Sequence, residues 1–369
     1  MAIKVLMLLH NLRVSAGVSS YVMNYFRTID HTRIHMDFAI WSDIETPYYE
    51  EIRLSGSNIY VLPSIKNIHK HIQMCNKILN EGKYDVIHDN TLMISFPIMK
   101  AAEKAHVPVR LLHSHNSKLG ETRAREIRNK LFLPLLKGTS TDYAACSKLA
   151  ALAMFGDSSY DFIPNVVSAE QLNYSLDKRN KIRKELRAGE KVIIGTVGRV
   201  AAQKNPLFAI DVIESLLEKD PNVEYWWIGS GLMDKELEYR VQNSRYKEKI
   251  RLLGSRDDVP DLYQAIDIFF LPSLFEGLPV TGVEAQVMGL PSVLSGTITK
   301  EVVFTDLVKF VDLNQPVDYW SKVLLEQINR VPNRRSYVQE LRNSPFSDQK
   351  AGEYLAQIYE KLVRKATRE

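Results

Sequence analysis

The stretch IDIFFLPSLFEGLPVTGVEAQVMGLPSVLS, Ile266–Ser295, decides the fold. Ile266–Leu271 is a short run rich in isoleucine and phenylalanine, and Pro272 ends it, as expected of a strand. Pro279 suits the first turn of a helix and Gly289 its end, so Pro279–Met288 reads as helix. Ser292–Leu294 opens a second apolar run. Strand, loop, helix and strand in about thirty residues make a crossover unit, which sets two strands parallel with the helix on one face.

The same rhythm runs outward along the chain. Before this stretch Val192–Val197, Val223–Ile228 and Ile250–Leu253 read as strands, and after it Val308–Val311. Pro206–Glu218 and Met233–Asn243 are the helices between them. In the first half the strands are Ile3–Leu9, His35–Ile40, Asn58–Leu62, Asp85–His88, Val107–Leu112 and Thr141–Ala145. Val18–Ile29, His69–Asn80, Met93–Lys104 and Thr122–Leu136 separate them as helices. The expected class is therefore α/β, with two doubly wound, Rossmann-like domains. The expected boundaries are 1–170 and 171–347. Residues 348–369 form a last helix that packs back across the junction toward the first domain.

A chain of 369 residues is too long for one core, which agrees with two domains. With 45% hydrophobic and 25% charged residues the composition is that of a globular protein. The formal net charge is +4, with 19 basic and 16 acidic residues up to Glu170 and 29 and 28 beyond it. Neither half is basic enough for nucleic acid to be the partner. Two cysteines give neither a disulfide framework nor a metal motif, and a reducing cytoplasm fits them. The apolar run before His10 is too short for a secretion signal, and no stretch is apolar for long enough to span a membrane.

In doubly wound sheets ligands sit beyond the carboxyl ends of the strands. Four loops there are candidates. HNLRVSAGVSS at His10–Ser20 follows the first strand, and Gly17 allows close approach of backbone to a ligand; a plain turn is the alternative. GRVAAQKNP at Gly198–Pro206 carries Arg199 and Lys204, two cations suited to a diphosphate. A solvated charged loop is the alternative. IGSG at Ile228–Gly231 is a weaker glycine turn. The fourth loop brings Glu276 before a helix N-terminus and Glu284 inside that helix, about 7.5 Å further along the axis. A nucleotide sugar over this N-terminus has its diphosphate at free N–H groups, with carboxylates for the hydroxyl pairs on either side. Two solvated glutamates are the alternative.

These residues resemble the retaining glycosyltransferases of the GT-B fold, in particular glycosyltransferase family four. FEGLPVTGVEAQVMGLP is similar to its E-x7-E signature, and GRVAAQKNP to its phosphate loop. LLGSRDDVPDLY, IPNVV and HSHNS fall in family order, and the bacterial capsule, exopolysaccharide and teichoic-acid enzymes are the most similar subgroup. The resemblance implies two domains facing a central cleft that closes on the donor. It implies that a sugar moves from a nucleotide sugar, a UDP-sugar by preference, to a glycan or lipid-linked acceptor. No cofactor and no metal are implied. Arg199 and Lys204 would neutralise the diphosphate, Glu276 would contact the donor sugar and Glu284 the ribose. Gly198, Gly277, Leu278, Pro279, Val280 and Thr281 would line the donor, and Arg256 would lie beside the base through its main chain. Gly17 and His115 would approach from the first domain, with His113 the rival to His115. Two departures stand out: Ala16-Gly17 replaces a Gly-Gly pair, and Gly296 stands where relatives often carry an aspartate. The other functions weighed are a catalytically silent GT-B partner subunit and a GT-B epimerase or phosphorylase. The intact Arg199, Lys204, Glu276 and Glu284 speak for transfer.

All nine histidines fall between His10 and His115, in no metal-ligand spacing, and are expected mostly on the surface or satisfied in the core. TRAREIRNKLFLPLLK at Thr122–Lys137 interleaves cations with an apolar stripe. The favoured expectation is a helix facing the core with a solvated basic face, kinked or ended early by Pro134. The second is peripheral contact with an anionic membrane at the inner face of the cell.

Overall fold

The computed structural model describes all residues except 1, 15, 16, 121, 329–333 and 369, so Ala16 lies outside the described residues. The chain divides into two compact units, residues 1–166 with 348–369, and residues 167–347.

The first unit holds seven parallel strands: β1 (Ile3–Leu9), β2 (Ile34–Ile40), β3 (Ile59–Val61), β4 (Val86–Asp89), β5 (Val109–Ser114), β6 (Asp142–Ala145) and β7 (Asp161–Phe162). Their order is β3-β2-β1-β4-β5-β6-β7. The chain builds outward from β1 in one direction and then in the other, leaving a switch point between β1 and β4. Val5 faces Val86 and Leu8 faces Asp89 across that seam. Nearly every residue of these central strands is buried, as a sheet covered on both faces requires. The last helix, Ala351–Ala366, belongs to this unit. It buries Leu355, Tyr359 and Leu362 in the core around β1 and helix Gly17–Thr28. Gly352 permits the contact, since a Cβ there would stand 2.1 Å from the Thr28 carbonyl oxygen. Arg33 pairs with Glu353 and Glu360 at 2.6 Å each.

The second unit holds β8 (Val192–Val197), β9 (Val223–Ile228), β10 (Ile250–Leu252), β11 (Ile268–Leu271), β12 (Ser292–Ser295) and β13 (Val308–Val311). Their order, β10-β9-β8-β11-β12-β13, repeats the pattern, with the switch point between β8 and β11. Helix Leu176–Glu185 is pinned beneath this seam, where Arg179 and Arg183 reach the buried Asp267 at 2.5 and 3.1 Å. Among the described residues no helix is long and apolar enough to cross a membrane.

One helix departs from expectation. Arg123–Thr139 runs on past Pro134 and buries only Asn129, Leu136 and Thr139. Proline leaves the carbonyl of Lys130 without its helical donor, which is tolerated because both residues face solvent. The apolar stripe does not face the core: Ile127, Leu131, Phe132 and Leu135 are 52–71% exposed.

Candidate active site

At the carboxyl end of β8 the chain turns at Gly198 into the loop Arg199–Asn205. Gly198 itself hosts a lysine: a Cβ there would sit 3.0 Å from the Lys204 Cε. The neighbouring turn after β9 is closer still. Gly229 has φ of +132°, and a Cβ on it would stand 2.1 Å from the Gly198 carbonyl oxygen. The loop closes with Asn205 in the left-handed region, after which Pro206 opens the next helix.

Across the switch point, Pro272–Pro279 joins β11 to helix Val280–Val287. Lys204 Nζ lies 2.6 Å from Glu276 Oε1, and the two side chains are only 12% and 7% exposed. Ser273 Oγ donates to the same oxygen at 2.7 Å, and Gln203 Nε2 donates to Oε2 at 3.2 Å. The Leu274 amide donates to the Gln203 carbonyl at 2.8 Å, tying the two loops together. Arg199 Nη2 donates to Gln203 Oε1 at 3.3 Å. Arg199, Lys204, Glu276 and Gly198 therefore form one cluster.

Gly277, Leu278 and Pro279 are buried in the approach to the helix, and Val280 and Thr281 form its first turn. That turn leaves the Val280 and Thr281 amides without intrahelical acceptors. The Thr281 hydroxyl oxygen is buried with no partner. One turn on, Glu284 Oε2 accepts from Tyr263 at 2.9 Å. Burial pushes the Glu284 carboxyl up to about 7, and the Tyr263 hydrogen bond opposes this. Arg256 forms a fork to Asp258 through Nε and Nη2, at 2.7 and 2.5 Å. Gly296 makes no close approach, as a Cβ there would find its nearest neighbour at 3.5 Å.

In the first unit the corresponding edge collects histidines. His113 on β5 is buried, its Nδ1 3.0 Å from His88 Nε2 and 3.3 Å from the Tyr21 hydroxyl. His115, just past the strand, is half-buried and lies 2.8 Å from Asn90 Oδ1 through Nε2. The two rings stand 4.0 Å apart. Burial holds His88 and His115 down at about 3, so both are neutral. Of the rivals, His113 is committed to the interior and His115 sits at the edge. Gly17 begins helix Gly17–Thr28, and a Cβ there would meet nothing within 4 Å. No group of three or more metal-ligating side chains occurs among the described residues.

Sequence reasoning missed Gln203, Ser273, Tyr263 and Asn90. Gln203 and Ser273 lie inside the quoted stretches Gly198–Pro206 and Ile266–Ser295, but neither residue carries a pattern of its own.

Residues 177–318 match the family model "Glycosyl transferases group 1". The chain is 28% identical to EpsF of Bacillus subtilis over 337 residues, 88% of either chain. It is also 28% identical to the UDP-Gal:alpha-D-GlcNAc-diphosphoundecaprenol alpha-1,3-galactosyltransferase of Escherichia coli over 230 residues, 59% of either chain. Among solved structures, HepE of Anabaena in complex with UDP superposes with a TM-score of 0.77. That match has 16% identity and covers 98% of this chain and 100% of HepE.

Proposed function

This chain belongs to the glycosyltransferases of the GT-B fold, and from that premise we propose that it transfers a sugar from a UDP-sugar to a glycan or lipid-linked acceptor in bacterial surface polysaccharide synthesis, with retention and without a metal ion. The observation that carries this reading is the pairing of Lys204 with Glu276 across the β8–β11 switch point, where a doubly wound sheet binds its ligand. The UDP bound to HepE and the galactosyltransferase's UDP-linked donor support the choice of nucleotide.

As the anomeric bond stretches, charge builds on the β-phosphate. Arg199, Lys204 and the amides of Val280 and Thr281 stabilise that charge. An ammonium has three donors, so Lys204 can hold Glu276 and a phosphate oxygen together. Glu276, anchored by three donors, keeps lone pairs for sugar hydroxyls, and Glu284 takes the ribose hydroxyls. The acceptor oxygen bonds to the anomeric carbon on the face the phosphate leaves. Its proton passes to a phosphate oxygen.

The exposed stripe Ile127, Leu131, Phe132 and Leu135, among Arg123, Arg125, Arg128 and Lys130, suits a helix lying on an anionic membrane at the cytoplasmic side, where a lipid-linked acceptor is found. The test is a panel of nucleotide sugars, assayed for nucleotide release with undecaprenyl-diphosphate-linked acceptors, with product configuration read by NMR. Turnover of a UDP-sugar to an α-linked product is expected. An inverted product, or turnover only with another nucleotide, overturns the corresponding part.

A further inference from the structure

At the amino edge of the second sheet lies a cleft of about 640 Å³, where Arg179, Arg183, Lys184, Arg187 and Lys191 outnumber Glu190 and Asp267. It opens beside Val192 and Asp267, where β8 and β11 begin. The cluster of Arg199, Lys204 and Glu276 stands at the other ends of those strands, about 20 Å away along the six residues of β8. Every residue of the cleft belongs to the second unit.

Some of these cations are fixed. Arg179 and Arg183 both reach Asp267. Arg179 also donates to the Gln264 and Ala265 carbonyls at 3.1 and 3.2 Å, and Arg183 to those of Gly189 and Lys191 at 2.7 and 2.5 Å. Lys191 is turned to Glu224 at 2.6 Å. Lys184 and Arg187 differ: both are exposed, and their side chains have no hydrogen-bond or ion-pair partner among the described residues. With Lys191 set aside, four cations face two carboxylates, an excess of two positive charges. The excess reaches inward, where burial and then the charge of Arg179 press the Arg334 guanidinium down to about 9.

The dipole of helix Leu176–Glu185 accounts for a cation at Lys184, in its last turn. It does not account for Arg187. That residue stands just past the helix end with φ of +54°, in the left-handed region where glycine is usual and arginine is strained.

We propose that this cleft is a second anion site, for a soluble phosphorylated small molecule that Arg187 grasps by its guanidinium and Lys184 by its ammonium, above the fixed charges of Arg179 and Arg183. A phosphate dianion matches the excess charge, and a guanidinium fork with an ammonium suits its oxygens. The volume falls within the range of small-molecule sites, about 300–1,000 Å³. The proposal does not depend on the transferase reading.

The test titrates inorganic pyrophosphate into the full chain by calorimetry, with thermal melts alongside. The donor cluster can also take pyrophosphate, so K204M and saturating UDP serve as controls. The expected result is a site that survives both controls and weakens at least about tenfold in K184Q and in R187G, the scale of one charge-assisted contact. Pyrophosphate should raise Tm in the wild type and much less in R187G. Glycine relaxes the left-handed position, so R187G without ligand should melt no lower than the wild type, which separates a lost ligand group from a lost fold. Sedimentation with phosphatidylcholine vesicles, with and without phosphatidylglycerol, distinguishes a lipid phosphate from a soluble one. Pyrophosphate binding that UDP or K204M abolishes, or that K184Q and R187G both leave unchanged, overturns the proposal. So does binding to the anionic vesicles alone that is lost in K184Q/R187G.

Discussion

Replacing Lys204 with methionine separates two roles that one side chain fills. Lys204 and Glu276 are nearly buried and 2.6 Å apart. Removing one partner of such a pair costs about 3–5 kcal/mol, because the other charge is stranded. Ser273 and Gln203 still donate to Glu276, so the lower end, about 3 kcal/mol, applies. In a unit of this size that is a fall of about 6–12 °C in Tm. Adding E276Q removes the stranded charge, so the double variant should regain most of this loss. Transfer behaves differently. On the proposed mechanism Lys204 meets the developing phosphate charge, so its loss should cut kcat about 10²–10³-fold whether residue 276 is Glu or Gln. The assay is a thermal melt of K204M, E276Q and K204M/E276Q beside UDP release under saturating donor. Loss of less than about 1 kcal/mol in K204M, or a double variant as active as the wild type, would refute the reasoning.

If Glu284 holds the ribose as proposed, nucleotide binding should depend on pH. Its carboxyl is pushed up to about 7 by burial, so UDP affinity should rise between about pH 6 and 8 as the group ionises, and E284Q should bind weakly with a flat profile, as calorimetry would show. The same shift opposes folding: stability is full below the unfolded value and falls as pH climbs through about 7, by up to about 3 kcal/mol. E284Q should therefore melt higher than the wild type at pH 8 and equally near pH 4.5. Gly229→Ala sets a Cβ against the Gly198 carbonyl and should cost about 2–4 kcal/mol and abolish UDP binding, read by melting and titration. The triple change of Arg123, Arg125 and Arg128 to glutamine should weaken binding to anionic vesicles about a hundredfold, at about 1 kcal/mol per charge, without lowering Tm. Equal sedimentation of the triple variant and the wild type would make that helix merely structural.

Much of the fold could be read directly. Ile3–Leu9, Val192–Val197, Val223–Ile228 and Val308–Val311 are strands to the residue, because apolar runs bounded by polar or turn residues leave little choice. The reading failed where polar residues are buried. β5 extends through His113 and Ser114, which a hydropathy rule places outside the strand. Helix Lys148–Phe155 is almost wholly apolar and shows no period, and Val259–Ala265 is too short for one. Helix Val317–Ile328 carries a buried stripe, Trp320, Val323 and Leu324, at the spacing of a helix face. Helix Arg123–Thr139 misled in the opposite sense, since an amphipathic pattern fixes an apolar face but not what covers it. At the candidate site the spacing of Glu276 and Glu284 was legible, and so was the Arg199–Lys204 pair. Their partners were not, because Gln203 meets Glu276 only once β8 and β11 are neighbours, and Asn90 meets His115 only across β4 and β5.

The central claim is that Arg199, Lys204 and the start of helix Val280–Val287 hold a nucleoside diphosphate without help from a metal ion. Calorimetric titration of UDP into protein stripped with EDTA tests it directly. The prediction is one-site binding that added Mg²⁺ or Mn²⁺ does not change, weakened about 10–100-fold in K204M as a charge-assisted contact is lost. Binding that appears only when a divalent cation is restored, or that K204M leaves untouched, would contradict it.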